Sequence, residues 1–420
     1  MTGKYTLVFD ANFWLHKTYF IGQKIKTGKP FNFIDEPEED KNLLLWKLSL
    51  DFAAEIKRFE GVVNRVVYCI DSSSWRKTYL DTAYKANRVK SASINWNEIY
   101  NVHDEFAKAL EAQGVIISRV KGAEADDLIF AWTSHLNNDG QNAIIISGDN
   151  DLLQLVHLDQ SSSANTIYYN KFDKDIHVFP KFDNWLNAEE LNTTNDIFNL
   201  PKDLLSNTKQ NLRDLIKGNK MKHKEVNVNE FLFKKILVGD AGDNVPPLYV
   251  RQKETKKGLI NYKVTDKHVA EIMDGFKEDR MFIQQSHFFN DEHIEKICEL
   301  AIKAIKIEDK SLQEIIEKWK INRDLVFLHA NCIPKNITEK MFESIELTNN
   351  KHLSASELHK VMDKEAILSG TTYTKEKKTE FNESGLFKSL GVEDVAKPTV
   401  NVVTSESDGF DKNFWDDLIK

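Results

Sequence analysis

Short apolar runs alternate with longer segments of helical periodicity in the first part of the chain. Continuous apolar runs rich in β-branched residues predict strands at 4–9, 65–70, 115–118 and 143–147. Between them, apolar residues recur at helical spacing over 42–60, 98–113 and 124–137. Such alternation is typical of a mostly parallel sheet with helices on both faces. We therefore predict an α/β fold for residues 1–180, with an arch at 75–97.

The pattern changes after about residue 180. Residues 181–345 predict a mostly helical region with basic connections, in which a Gly- and Pro-containing turn at 237–247 joins two helices. Residues 346–370 predict a helical extension, and the polar stretch 371–420 predicts a flexible linker that ends in an acidic, hydrophobic peptide. We interpret 24–41 and 160–225 only as surface excursions.

Composition narrows the class of protein. The 420 residues carry a net charge of −8, which argues against coating nucleic acid or an anionic membrane by bulk charge. The cysteines Cys69, Cys298 and Cys332 lack paired spacing, so we expect a reducing compartment such as the cytoplasm. The apolar run before Asp10 is too short for a signal peptide or a membrane span, and we expect no membrane partner.

Acidic residues follow the predicted strands. Asp10, Asp71 and Asp149 each stand at or just beyond a strand end, and the carboxyl ends of such strands meet where ligands bind. Glu124, Asp126 and Asp127 open a predicted helix, and Asp151, Asp240 and Asp243 lie in turns. Taken singly, such acids also suit helix N-termini or turn caps, and Asp127 in particular is equally well interpreted as a cap.

Taken together, the acids need a counter-charge. Like charges in one partly dry site cost about 4 kcal/mol per close pair at an effective dielectric constant of about 20. Oxygen ligands without His or Cys favour Mg²⁺ or Mn²⁺. More carboxylates than one ion uses imply two ions, an arrangement that hydrolyses phosphodiesters by activating water and stabilising the leaving oxygen. The sequence therefore predicts a two-metal nuclease.

Several spaced motifs also resemble a known family. They are Ile70-Asp71, Trp75-Arg-Lys77, Tyr84-Lys-Ala-Asn-Arg88, Glu124-Ala-Asp-Asp127, Gly148-Asp-Asn-Asp151 and Gly239-Asp-Ala-Gly-Asp-Asn-Val-Pro246. In this order they resemble the 5′ nuclease (flap endonuclease) family, and within it the phage-type ribonucleases H. The resemblance covers about 4–345 and implies a PIN-like fold.

The resemblance implies roles for individual residues. Asp71, Asp126 and Asp149, with Glu124 beside them, would surround the first metal ion. Asp151, Asp240 and Asp243 would surround the second, and Asp10 would act through a metal-bound water. Arg76 and Lys85 would contact the scissile phosphate.

Basic residues extend the prediction to substrate binding. The arch carries Arg76, Lys77, Lys85, Arg88 and Lys90, which suit phosphates of single-stranded 5′ ends, although a solvated amphipathic helix is the alternative. The resemblance implies that the 237–247 turn is a helix–turn–helix variant that holds duplex DNA with a monovalent cation. Residues assigned to that contact are Gly239, Gly242, Arg251 and Lys253, for which solvated loops are the alternative.

The C-terminal peptide suggests a docking segment. Phe410, Phe414, Trp415 and Ile419 stand among acids and suit a groove on a replication partner, or else form a disordered end. The resemblance implies a single-strand-binding protein and a sliding clamp as partners, and we expect a monomer.

We therefore predict a structure-specific 5′→3′ nuclease that removes RNA primers and 5′ flaps during replication. Its substrates would be 5′-flap, nicked or gapped DNA and RNA–DNA duplexes, in the host cytoplasm for a phage-encoded protein. Two alternatives remain: a non-catalytic scaffold that binds branched DNA, and a single-strand ribonuclease with a related acidic site.

Overall fold

The computed structural model describes residues 5–25, 32–81, 83–88, 91–158, 165–171, 175–180, 222–255, 258–278 and 285–374. Its main sheet contains β1 Tyr5–Asp10, β2 Val63–Cys69, β3 Ile116–Ser118, β4 Asn142–Ser147, β5 His157–Leu158, β6 Asn165–Asn170, β7 Asp175–Pro180 and β8 Lys222–Val226. The strand order is β3-β2-β1-β4-β6-β7-β8, and β5 pairs with β6.

The first five strands in that order are parallel to one another. β1 pairs with β2 on one side and with β4 on the other, so that Asp10 stands opposite Cys69 and Phe9 opposite Ile146. Every residue of β1 is buried, as expected for the centre of a covered parallel sheet. The predicted α/β fold with a mostly parallel sheet is confirmed, and the four predicted strands correspond to β1–β4.

The helices are α1 Ala11–Ile25, α2 Pro37–Arg58, α3 Trp75–Tyr79, α4 Trp96–Ala112, α5 Ala125–Asn138, α6 Val228–Val238, α7 Asp266–Glu278, α8 Asp291–Ile305, α9 Leu312–Val326, α10 Lys335–Glu346, α11 Ala355–Val361 and α12 Lys364–Leu368. Short 3-10 helices span Asn150–Leu155 and Gln285–Phe288. The predicted helices 42–60, 98–113 and 124–137 correspond to α2, α4 and α5. None of the helices in the described ranges is both long and apolar enough to cross a membrane.

Two compact units alternate along the chain. One is built from 1–13, 58–87 and 116–353, and the other from 14–57, 88–115 and 354–420. The predicted domains are consecutive instead, and their boundaries remain predictions. All predicted metal ligands belong to the first unit.

The first unit has two apolar cores. In one, α5 packs on β1, β2 and β4, and α10 packs on α5. The indole N–H of Trp132, buried in that core, donates to the Ser118 hydroxyl at 3.1 Å. In the other core, α6, α8 and α9 pack around Phe233, Phe288 and Trp319. The sheet core supports the strand ends, and the helical core supports the 237–247 turn.

The segment 160–225 is not a surface excursion where the structure describes it. β6, β7 and β8 extend the sheet, and Tyr168 and Tyr169 in β6 are fully buried. In 24–41, the buried carboxylate of Asp40 accepts hydrogen bonds from the backbone N–H groups of Asn32 and Phe33, which orders the entry to α2. For 160–225 the interpretation as a surface excursion is wrong where these strands belong to the sheet, and for 24–41 it stays a prediction. The C-terminal peptide lies outside the described residues, which end at 374.

The 237–247 turn does not join two consecutive helices. It leads from α6 into an antiparallel hairpin formed by β9 Val250–Thr255 and β10 Gly258–Lys263, and α7 begins only at Asp266. The prediction of a helix directly after the turn is therefore wrong. Polar and basic residues obscured the strand pattern there, because neither face of the hairpin is continuously apolar.

A candidate metal centre at the strand ends

Asp10 ends β1 and is almost completely buried. Its Oδ2 accepts a hydrogen bond from the Ser147 hydroxyl at 2.7 Å, and its Oδ1 accepts one from the backbone N–H of Phe13 at 3.0 Å. Burial raises the pKa of Asp10 to about 7, and repulsion from Asp149 and Asp71 adds to this effect. The charged form is therefore costly here unless a cation compensates it.

Asp71 and Asp126 lie beside Asp10. Asp71 accepts from the backbone N–H of Ala125 at 2.5 Å and from the side-chain amide of Asn12, and burial raises its pKa to about 6. Burial also raises the pKa of Asp126 well above its usual value, and repulsion from Asp149 and Asp10 adds to it. Together with Asp149, these residues form what we call the strand-end group: Asp10, Asp71, Asp126 and Asp149.

Asp149 connects this group with a second one. Its Oδ1 accepts from the backbone N–H of Asp151 at 2.9 Å and thereby caps the 3-10 helix Asn150–Leu155. Asp151 brings one carboxylate oxygen within 4.8 Å of an oxygen of both Asp240 and Asp243, which are also that close to each other. We call Asp151, Asp240 and Asp243 the turn group. The family resemblance implied this set, and the structure brings its members together.

The turn that carries Asp240 and Asp243 has a fixed backbone. Asp240 and Val245 exchange two backbone hydrogen bonds of 2.9 and 2.7 Å. Gly239 adopts φ +77°, and a Cβ there would lie 2.4 Å from the carbonyl oxygen of Val245. The N–H of Gly242 donates to Asp240 Oδ1 at 2.8 Å. Glycine at 239 is therefore required for this close approach, which directs Asp240 towards Asp151.

Lys235 is a site residue that sequence reasoning missed. From the last turn of α6, its ammonium contacts a carboxylate oxygen of Asp151 and lies 2.7 Å from Asp240 Oδ2. Burial raises the pKa of Asp151 to about 7 although Lys235 opposes that shift. Burial likewise opposes ionisation of Asp240, but Lys235 and the amides of Gly242 and Asp243 leave its pKa below the usual value. The available signal was a lysine five residues before Asp240 on a predicted helix.

Glu124 is held by three side chains. Its Oε1 accepts from Lys85 Nζ at 2.7 Å, and its Oε2 accepts from Ser74 Oγ at 2.8 Å and from Arg76 Nη1 at 2.9 Å. Burial alone would raise the pKa of Glu124, but Lys85 and Arg76 lower it to about 2. Glu124 is thus ionised, and its charge is already matched by cations of the chain. Lys85 Nζ also lies 3.8 Å from Asp243 Oδ2, between Glu124 and the turn group.

Arg76 and Asp127 form a buried ion pair. Arg76 Nη2 lies 2.9 Å from Asp127 Oδ1, and its Nε donates to the backbone oxygen of Leu325 at 3.0 Å. Asp127 also accepts from Trp75 Nε1 and from the backbone N–H of Glu124, both at 3.0 Å. Asp127 therefore caps α5 and fixes Arg76. The phosphate contact of Arg76 stays a prediction, since its guanidinium is bound to carboxylates within the chain.

The remaining candidates for nucleic-acid contact are Lys77, Arg88, Lys90, Arg251 and Lys253. Lys77 and Arg88 are exposed, and Arg251 lies over the ring of Tyr262 at 5.9 Å. Lys90 and the side chain of Lys253 lie outside the described residues. The contacts of all of these residues with nucleic acid stay predictions.

The donor set fits hard divalent cations. Both groups consist of carboxylates, and the one cluster of close ligand atoms in the described ranges, the turn group, includes neither His nor Cys. Oxygen donors of this kind are preferred by Mg²⁺ and Mn²⁺. Burial and mutual repulsion raise the pKa values of Asp10, Asp71 and Asp151, and a bound cation would relieve both effects.

Comparisons with known proteins match parts of this chain to exonucleases. Residues 5–182 match the family described as the 5'-3' exonuclease, N-terminal resolvase-like domain. This match confirms the resemblance to the 5′ nucleases that the sequence motifs carry.

The matches to individual relatives differ in how much of this chain and of the relative they cover. The 5'-3' exonuclease of Mycoplasmopsis pulmonis is 24% identical over 332 residues, which is 74% of this chain and 88% of that protein. The 5'-3' exonuclease of Buchnera aphidicola is 22% identical over 156 residues, 36% of this chain, and the match spans only 48% of that protein. Among solved structures, the D15 flap endonuclease of bacteriophage T5, crystallised with DNA and metal ions, is 15% identical in sequence to this chain. The TM-score is 0.46, and the match covers 83% of this chain and 100% of that one.

Proposed function

We propose that this chain is a metal-dependent, structure-specific 5′→3′ nuclease that hydrolyses phosphodiester bonds of 5′ flaps and of RNA primers on DNA. The observation that carries the proposal is the meeting of two carboxylate groups at the strand ends. The turn group brings its oxygens within 4.8 Å of one another, and Asp149 connects it to the strand-end group. Five of these seven carboxylates lie within residues 5–182, which match 5'-3' exonucleases, and their convergence with Asp240 and Asp243 supports a nuclease rather than a structural role.

Different residues of the chain would bind the metal ions and orient the carboxylates. The strand-end group and the turn group would each hold a divalent ion, Mg²⁺ or Mn²⁺, which would supply activation of water and positive charge at the leaving oxygen. Ser147 and the amide of Phe13 keep Asp10 in one orientation. Asn12 and the amide of Ala125 do the same for Asp71. Such fixed carboxylates lose little freedom when the cation binds.

Among the described residues, Lys85 is placed to contact a substrate phosphate. Its ammonium lies between Glu124 and Asp243, at the junction of the two groups. A phosphate oxygen at this point could replace one carboxylate as its partner. Arg76 would act mainly by holding Glu124, with which it pairs at 2.9 Å.

The wider substrate contacts belong to the same proposal. The arch would bind the 5′ single strand, and the 237–247 turn, with a monovalent cation, would hold the duplex. Substrates would include nicked or gapped DNA and RNA–DNA duplexes, which gives the protein ribonuclease H activity. A single-strand-binding protein and a sliding clamp would engage the C-terminal region of a monomer in the cytoplasm.

Cleavage of a 5′-flap substrate labelled at either end tests the proposal. Wild type should release short 5′ products with Mg²⁺ and none with EDTA, whereas Asp149→Asn should lose about a thousandfold or more in rate. Asp291→Asn removes an exposed carboxylate and should cleave like wild type. If cleavage is absent while tight flap binding persists in EDTA, the chain is a branched-DNA scaffold and the proposal fails.

A further inference from the structure

Lys235 places a positive charge directly against the turn group. Its side chain is only 14% exposed, and its ammonium contacts two of the three carboxylates of the turn group. The third carboxylate, Asp243, lies 3.8 Å from the ammonium of Lys85, which pairs more closely with Glu124 at 2.7 Å. In the strand-end group, Lys85 opposes the rise in the pKa of Asp71 and Asp126 that burial causes. Among the described ion pairs, Lys235 therefore makes the closest contacts with the turn group.

The position of Lys235 is not explained by helix capping alone. A lysine in the last turn of a helix commonly interacts with the terminal carbonyl groups. Here the ammonium reaches carboxylates on two other segments, the 3-10 helix and the 237–247 turn. The preceding residue, Lys234, makes the contrasting case: its side chain is 50% exposed, and it pairs at 3.1 Å with Asp266, whose side chain is 72% exposed.

We propose that Lys235 is a built-in counter-charge that keeps the turn group a weak site for a divalent ion. An ion bound there would share the oxygens of Asp151 and Asp240 with the ammonium, and the two cations would repel each other. The strand-end group would fill first, and the turn group would fill only at higher ion concentration. This inference rests on the proposed function, because it requires that both groups bind divalent ions.

A consequence concerns the substrate. A phosphodiester that approaches the turn group adds negative charge and offsets the ammonium of Lys235. Substrate binding and ion binding at the turn group then favour each other, because coupling between two ligands is reciprocal. Because of Lys235, binding of a divalent ion at the turn group therefore depends on bound nucleic acid.

Mn²⁺ binding without nucleic acid tests the proposal directly. Free Mn²⁺ is measured by electron paramagnetic resonance during titration of wild type, Lys235→Met and Lys234→Met. Wild type should bind one ion tightly and a second weakly, and Lys235→Met should bind the second ion about tenfold more tightly or better. Lys234→Met should match wild type. Unchanged or weaker second-ion binding in Lys235→Met would overturn the proposal.

Two further variants keep the test decisive if Lys235→Met does not fold. Lys235→Gln is neutral but can still donate to Asp151 or Asp240, and it should also tighten the second ion. Lys235→Arg keeps the charge and should keep the weak second site. If Lys235 has only a structural role, its variants should melt at lower temperature than wild type, by the same amount in EDTA as in Mn²⁺. This result would contradict the proposal.

The outcomes separate this inference from the proposed function. Tighter Mn²⁺ binding in Lys235→Met together with no flap cleavage by wild type would support the counter-charge and overturn the nuclease. Normal cleavage by wild type together with unchanged Mn²⁺ binding in Lys235→Met and Lys235→Gln would support the nuclease and overturn the counter-charge.

Discussion

The hydroxyl of Tyr84 donates a hydrogen bond to Asp243 Oδ2 at 3.1 Å, and the backbone N–H of the next residue, Lys85, donates to the backbone oxygen of Asp243 at 2.9 Å. Two asparagines continue this contact, because the side-chain amides of Asn87 and Asn244 donate to backbone oxygens across the same junction, both at 2.8 Å. Segment 83–87, in the predicted arch, is thus joined to the turn that carries Asp240 and Asp243.

Removing the Tyr84 hydroxyl should loosen this junction. Tyr84→Phe leaves Asp243 Oδ2 without this donor, and loss of one such hydrogen bond costs about 1 kcal/mol. Hydrogen exchange of the Lys85 amide should therefore become about fivefold faster, while exchange in β1 stays unchanged. Tyr79→Phe is the matched control, because the Tyr79 side chain is 59% exposed. Equal protection in both variants would mean that the other contacts hold the segment without Tyr84.

Replacing Arg76 should destabilise the protein strongly. Arg76→Met leaves the buried carboxylates of Asp127 and Glu124 without their guanidinium, and removal of one partner from a buried ion pair costs about 3–5 kcal/mol. Urea unfolding measures this loss. Lys77→Met, at the exposed neighbouring position, should change the free energy of unfolding by about 0.5 kcal/mol or less. A small effect of Arg76→Met would show that the pair adds little to stability.

The sequence predicts the sheet and its acidic edge because both follow from local patterns. Continuous apolar runs identify β1–β4, and the parallel arrangement then brings Asp10, Asp71 and Asp149 to one edge. By contrast, α1 follows β1 without an intervening polar loop, so no boundary signal marks it. The strand β6 was also missed, because its buried aromatic residues stand between polar stretches and the strand pattern is therefore short.

Contacts between distant segments explain the rest of what sequence reasoning missed. Lys235 and Asp151 are 84 positions apart, and no local pattern joins them. Arg76 was predicted as a phosphate contact from its position in the arch, but its pairing with Asp127 depends on how α3 packs beside α5. The basic residues that pair with carboxylates inside the site, such as Lys235 and Arg76, are therefore harder to predict than the carboxylates themselves.

Gly239→Ala should disrupt the turn group. The added Cβ would lie 2.4 Å from the Val245 backbone oxygen at φ +77°, so the turn must move, at a cost of about 2–4 kcal/mol. Gly140→Ala is a matched control, because Gly140 has φ +69° but no atom within 4 Å of the added Cβ. Its cost should be about 1 kcal/mol, from backbone strain alone. Urea unfolding of both variants separates the clash from the strain, and equal losses would rule out the clash.

The pH dependence of stability in EDTA should reveal the buried Asp10 carboxyl. Its pKa rises from 3.8 to about 7 on folding, so between these values the folded chain keeps a proton that the unfolded chain has lost. Raising the pH through this window therefore lowers stability, and the loss is complete above about pH 7. Asp10→Asn lacks this titration but keeps an acceptor for the Phe13 amide. From pH 5 to 8, wild type should lose up to about 3 kcal/mol relative to the variant, at about 1.4 kcal/mol per pKa unit.

Glu124 does not disturb this comparison, since its pKa falls to about 2 and its stabilising charge is lost only in acid, well below pH 5. Thermal unfolding across pH 5–8 measures the effect, with Asp291→Asn expected to follow wild type because Lys320 lowers the pKa of that exposed carboxyl. With Mg²⁺ in place of EDTA, the trend should reverse, because a bound ion stabilises the charged carboxylates. A wild-type curve parallel to that of Asp10→Asn in EDTA would show that Asp10 is ionised in the folded chain throughout this range.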